Sequence, residues 1–144
     1  MVLIPIKLKS LIADSSIAYL ATVSNKGHPH IIPICFVLRD QNFYSLIDNK
    51  PKDVQLLKLR RVQNIISNPK VALIVNHYED DWGKLWHILV KGHGSLVVNE
   101  LERRAAIKSL KQKYRQYVDT DVDLNPVIKI SPTSIVSWGT TRST

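Results

Sequence analysis

The sequence predicts a mainly β chain with helical additions, in which six or seven antiparallel strands close into a small barrel. Three observations carry this expectation. Short apolar runs at 17–23, 43–47 and 71–75 are separated by polar turns, the punctuation expected of strands. The extended segment 85–98 is interrupted by Gly92 and Gly94, and glycines inside a strand mark the bend or bulge that a barrel corner needs. Helical patterning is confined to a few stretches, so helices decorate the sheet and do not form a layer of their own.

Taken in order, residues from about Ile4 to Ala13 read as a short helix with Ile6, Leu8, Leu11 and Ile12 apolar, its start confined by Pro5. The run Ile17 to Val23 ends at Asn25-Lys26-Gly27, a hairpin signal, and Ile31 to Leu38 is the returning strand. Pro33 cannot donate to a ladder, which places that strand at an edge or at a bulge. The turn Arg39 to Asn42 leads into a third strand, Phe43 to Ile47, completing a three-stranded meander. A polar turn with Lys50 and Lys52 then opens a basic helix with Leu56, Leu59, Val62 and Ile66 on the packing side and Arg60, Arg61 and Asn64 turned mostly away. That helix stops at Asn68-Pro69.

The run Val71 to Tyr78 is the next strand, followed by the glycine-interrupted segment 85–98. Asn99-Glu100-Leu101-Glu102 has the order of a capping box, opening a helix to about Tyr117 with Leu101, Ala105, Leu110 and Tyr114 as its packed face. Two closing strands, Pro126 to Ile130 and Ile135 to Trp138, flank Ser131-Pro132. The 144 residues contain no linker-like tract and no internal repeat, so a single domain over 1–144 is expected.

A net charge of +8 implies an anionic partner, whether nucleic acid, acidic membrane or phosphorylated ligand. The strands lack the closely spaced aromatics that stack bases, which disfavours nucleic acid. No apolar run reaches the length of a membrane span, and the start, broken by Pro5, lacks the order of a secretory signal. With Cys35 as the single cysteine, a reducing, cytoplasmic setting is the expectation.

Chemistry-bearing motifs are few. Lys50 and Lys52 stand where a strand gives way to a helix, and a helix start adds free amides and a positive dipole end, a combination that suits a phosphate. Solvated surface charge accounts for the same lysines, and neither a P-loop nor a dinucleotide fingerprint is present. His28 and His30 share a strand face without a third metal ligand nearby in sequence, Cys35 reads as a core thiol, and Trp82, Trp86 and Trp138 fill cores or wall a flat ring. The pattern favours a protein that supplies a slot while a bound cofactor supplies the reaction.

Ala21-Thr22-Val23, Gly27-His28-Pro29-His30-Ile31-Ile32-Pro33-Ile34, Phe43-Tyr44 through Lys50-Pro51-Lys52, and Asn68-Pro69-Lys70-Val71-Ala72-Leu73 together resemble the split-barrel flavin-binding superfamily. That superfamily includes pyridoxamine 5'-phosphate oxidase and the deazaflavin-dependent oxidoreductases. The resemblance implies a split β-barrel (FMN-binding split barrel) and a homodimer with a flavin-type cofactor, FMN or the deazaflavin coenzyme F-420, in the groove between subunits. It assigns Lys50 and Lys52 to the cofactor phosphate, with Lys58 and Arg61 adding to that anion site. It lays the backbone of Ile32, Pro33 and Ile34 along the ring system and uses Trp86 as a wall. The implied activity is hydride transfer between cofactor and a small organic substrate. The strand His30-Ile31-Ile32-Pro33 lacks the basic residue with which the oxidase branch begins its second strand, which tilts the resemblance toward the deazaflavin branch. A flavin or haem carrier without turnover is the alternative.

Overall fold

The computed structural model describes residues 2–48 and 55–139. Its elements are helix α1 (Ile6–Asp14), strands β1 (Ala18–Val23), β2 (Pro29–Ile34), β3 (Val37–Arg39) and β4 (Asn42–Leu46), helix α2 (Arg60–Ser67), strands β5 (Lys70–His77) and β6 (Trp86–Leu96), helix α3 (Glu100–Lys113) and strand β7 (Val127–Gly139). The seven strands form one antiparallel sheet in the order β2-β1-β5-β6-β7-β4-β3. This is the expected mainly β split barrel with helical additions.

Closure follows from topology. The outermost strands, β2 and β3, are consecutive in the chain and only Cys35 and Phe36 separate them. Two residues span no more than about 10 Å, so the sheet has to curl until its two edge strands come together at that corner. Phe36 is fully buried at that corner, its ring centroid 5.9 Å from that of Phe43. Tyr114, at the end of α3, pins the corner from outside: its hydroxyl accepts from the Phe36 N–H at 2.9 Å and lies 2.9 Å from the carbonyls of Phe36 and Ser16, to one of which it donates. The three-stranded meander expected from the sequence is therefore broken after Ile34, and β3 pairs with β4 at the far edge of the sheet.

Inside the curl, Leu20, Phe43, Leu73, Val75, Ile88, Val90 and Ile130 form one core with Leu8 and Ile12 of α1 and Val62 and Ile65 of α2. A second core lies outside the sheet, where Ala106, Ile107 and Leu110 of α3 cover Tyr44, Leu46 and Val127. The helix phase thus differs from expectation, since Leu101 is exposed and Ala106 and Ile107 pack in its place. Asn99 does cap α3, accepting from the Glu102 N–H at 2.9 Å, but the Glu102 carboxylate turns to the Tyr44 hydroxyl and Lys129 instead of closing a capping box.

β7 runs unbroken through Ser131-Pro132, where two closing strands were expected. Pairing with β4 ends at Ile130, so the missing N–H of Pro132 costs no bond on that side. Opposite it the β6 register shifts between Lys91 and Gly92, a bulge at the expected glycine. A side chain on Gly92 would collide with the Ser131 carbonyl.

The outer face of the sheet is apolar as well. In register across five strands lie Pro33, Tyr19, Ile74, Leu89 and Val136, and beside that row His87 stacks on Trp138 at 5.5 Å. Tyr19, Ile31, Val136 and Trp138 are 41 to 65% exposed, so no helix among the described residues covers this face. Among the described residues no helix is long and apolar enough to cross a membrane.

Candidate functional site

The β1–β2 hairpin and the start of α2 meet at a cleft of about 400 Å3 lined by Ser24, Asn25, Lys26, His28, Pro29, His30, Arg60 and Asn64. Each wall has a local cause. Gly27, at a φ of +82°, lets the hairpin turn tightly and brings Lys26 and His28 to the rim. His30 faces Thr22 across the ladder, and the buried Asn64 amide donates to Thr22 Oγ1 at 3.0 Å, tying helix to hairpin. The sequence pattern turned Asn64 toward solvent, whereas the structure buries it together with Ile65 and exposes Ile66.

The electrostatics of this corner are one-sided. Lys26, Arg60 and two histidines line the cleft, no carboxylate among the described residues does, and the first turn of α2 holds no acidic residue. The amides of a helix's first turn have no intrahelical acceptor and point outward as donors. His30 Nδ1, in this cleft, is buried without a hydrogen-bond partner, and so is Arg61 Nε, which lies off the cleft lining beside Asp48 and Tyr117. Burial lowers the affinity of Arg61 for its proton, and Asp48 offsets this only in part. Leaving a buried polar nitrogen unpaired costs about 1–3 kcal/mol, a cost that a hydrogen-bonding ligand would relieve.

The expected site residues fall in three groups. Lys50 and Lys52 lie outside the described residues. The helix they were expected to open begins only at Arg60, after a short 3-10 turn at Leu56–Lys58, so the helix amides belong with Arg60 and Arg61. Lys58 is exposed and one turn from Arg61. Pro33 points outward on the edge strand β2, whereas the side chains of Ile32 and Ile34 turn into the barrel core. Trp86 stands apart. It is half-buried at the start of β6 and stacks on His77 at 6.2 Å, facing hollows that Tyr19, Ile17 and Trp138 help to line. Gly94, whose neighbours include Ile65 of α2, is eight residues further along that strand, about 25 Å away. Within one protomer, then, Trp86 does not join Arg61.

Spacing alone did not bring Lys26 together with Arg60 and Asn64, because the cleft joins segments thirty or more residues apart. The available signal was the pair His28 and His30, and both line it. Among the described residues no group of three His, Cys, Asp or Glu side chains could hold a metal ion.

Cys35 belongs to a separate half-buried cluster at the barrel corner. Burial pushes its thiol pKa up, the neighbouring Tyr117 hydroxyl opposes this, and the thiol packs beside the α3 core as a core cysteine does. Lys113 Nζ sits 3.8 Å over the Phe36 ring, buried and without a hydrogen-bond partner.

Residues 4–139 match the family model described as pyridoxamine 5'-phosphate oxidase. The chain belongs to the pyridoxamine 5'-phosphate oxidase family. Solved structures share its fold at low identity, which speaks to the fold alone. A conserved hypothetical protein from Mycobacterium tuberculosis superposes with a TM-score of 0.78 at 17% identity, covering 96% of this chain and 86% of that one. HutZ, described as the haem storage protein of Vibrio cholerae, gives 0.71 at 16% identity, with 94% and 96% covered. An FAD-binding protein from Mesorhizobium loti gives 0.69 at 14% identity, with 94% of each chain covered. No curated protein sequence matches the chain.

This family member carries a testable electrostatic cost. Burial depresses the Lys113 pKa from 10.5 to about 8. Between pH 8 and 10.5 the unfolded chain holds a proton that the folded chain has lost, so this residue's contribution to stability rises with pH across that window and is least favourable below pH 8. Lys113→Met is expected to stabilise the protein at pH 7 by about 1 kcal/mol after allowance for solvent screening and the lost cation–π contact, with the gain fading toward pH 10. Urea unfolding at both pH values checks this, and a gain that grows with pH contradicts it.

Proposed function

We propose that this chain is an oxidoreductase that uses a flavin-type cofactor, FMN or the deazaflavin coenzyme F-420, to exchange a hydride with a small organic substrate. One observation carries the reading: the cleft at the start of α2, lined by Lys26, Arg60 and the unpartnered His30 and, among the described residues, by no carboxylate. A phosphate there receives charge-assisted hydrogen bonds from Lys26, Arg60 and the first-turn amides, with Arg61, Lys58, Lys50 and Lys52 as further cations on the same stretch of chain.

From that anchor the ring follows the free edge of β2, along the backbone of Ile32, Pro33 and Ile34. A bound flavin or deazaflavin supplies the two-electron chemistry, and the residues around it hold its distance to substrate and exclude water. Neither task requires a nucleophile from the protein. Among the described residues no acid-base pair lines the cleft.

The uncovered apolar row across five strands fits a second copy of the chain, because a two-fold dimer buries the same patch on both subunits. In that dimer Trp86 reaches the ring from the partner side, which its distance from Arg61 within one protomer requires. Non-catalytic storage of a flavin or haem is the second reading, favoured by the likeness to the haem storage protein HutZ.

Fluorescence titration tests the cofactor. FMN or coenzyme F-420 is expected to bind at micromolar concentration, and Arg61→Ala to weaken binding on the order of tenfold with a shallower salt dependence. Unchanged affinity removes Arg61 from the site, and failure of both cofactors to bind removes the reading. Turnover with a reductant and an acceptor separates the enzyme from the carrier. For the dimer, sedimentation velocity is expected to give two chains, and Val136→Asp to give folded monomers; a wild-type monomer at micromolar concentration contradicts it.

A further inference from the structure

The outer side of α3 carries a feature that the flavin reading does not use. Residues 118–125 run back beside the helix and are fastened to it by Arg103, which donates to the carbonyls of Asp123 at 2.7 Å and Asn125 at 3.0 Å, and by Lys111, which pairs with Asp123 at 2.6 Å. Between helix and return segment lies a groove of about 840 Å3, large enough for a drug-sized molecule. Its lining shares no residue with the cleft at His30 and Arg60.

The groove is amphiphilic. Ile107 contributes a buried apolar floor, while Val118 and Leu124, 59% and 89% exposed, contribute apolar walls. Arg104, Lys108 and Lys111 recur at spacings of four and three residues, which sets them in one row along α3, and Arg115, just past the end of that helix, lines the same groove. Among the described residues the two carboxylates at the groove are already engaged, Glu100 by Arg103 and Arg104 and Asp123 by Lys111. Among the described residues Lys108 and Arg115 pair with no carboxylate.

We propose that this groove is a second binding site, for a single-chain amphiphilic anion whose alkyl or aryl body lies on Ile107, Val118 and Leu124 and whose carboxylate or phosphate is held by Lys108 and Arg115. The alternatives fit less well. A nucleic acid would find no aromatic side chain to stack its bases on, since none lines the groove. A second copy of this chain would bring the same cations against these. An inorganic anion would leave Leu124 in water.

Isothermal titration of the full chain tests this, with dodecanoate and dodecyl phosphate below their micelle concentrations as probes. Acetate and inorganic phosphate serve as head-group controls, and vesicles of phosphatidylglycerol as the membrane arm. Saturable binding of at least one dodecyl anion at micromolar concentration is expected, with no binding of the short anions. Lys108→Glu combined with Arg115→Glu, and separately Leu124→Ser, are each expected to weaken binding at least tenfold. All three side chains of the test are at the surface or at the groove wall, and an unchanged flavin titration and circular dichroism spectrum show that each variant is folded. The proposal is overturned if neither dodecyl anion saturates, if the short anions bind as tightly, if the variants bind like the parent, or if only vesicles are bound.

Discussion

The constraint on which the rest depends is the two-residue connection between the opposite edges of the sheet. Because Cys35 and Phe36 alone join β2 to β3, the seven strands close around one core, and the corner they make is where Phe36 is buried and Tyr114 fastens α3. The same closure leaves β2 as a strand with a free side, which tolerates Pro29 and Pro33, and holds the β1–β2 hairpin against the first turn of α2 through Thr22 and Asn64. The cleft is a consequence of that contact.

Within this frame the protein holds features that its own fold does not satisfy. His30 Nδ1 and Arg61 Nε are buried without hydrogen-bond partners, and five strands present an uncovered apolar row. Both cost stability in the isolated chain, one through desolvated polar nitrogen and the other through apolar surface left in water. In the proposed reading a phosphate in the cleft would satisfy His30 and a second subunit would cover the row. That is why the functional reading rests on unsatisfied groups and not on a catalytic motif.

Much of the fold was legible because periodicity and turn chemistry are local. The alternating runs, the Asn25-Lys26-Gly27 hairpin, the edge character signalled by Pro33 and the bulge at Gly92 all appear where the residues point. What local pattern could not show was phase and partnership. A shift of one residue on α2 exchanges Ile66 for Ile65, and Asn64, polar in isolation, is buried because Thr22 waits forty-two residues away to receive its amide. Likewise Pro132 reads as a strand break until it is known that β4 stops pairing at Ile130. The candidate site was half visible: His28 and His30 drew attention as a pair, while Arg60 and Lys26 became neighbours only through the fold.

The most direct test of the central claim, that this corner exists to hold a phosphate, compares ring cofactors that differ only in that group. FMN against riboflavin, and coenzyme F-420 against its phosphate-free chromophore, are titrated into the same protein at low and high salt. The account predicts that at least one phosphate-bearing form binds tenfold or more tightly than its partner, a difference of about 1.4 kcal/mol or more, and that salt erodes the advantage. Equal affinity with and without the phosphate, at every ionic strength, contradicts it.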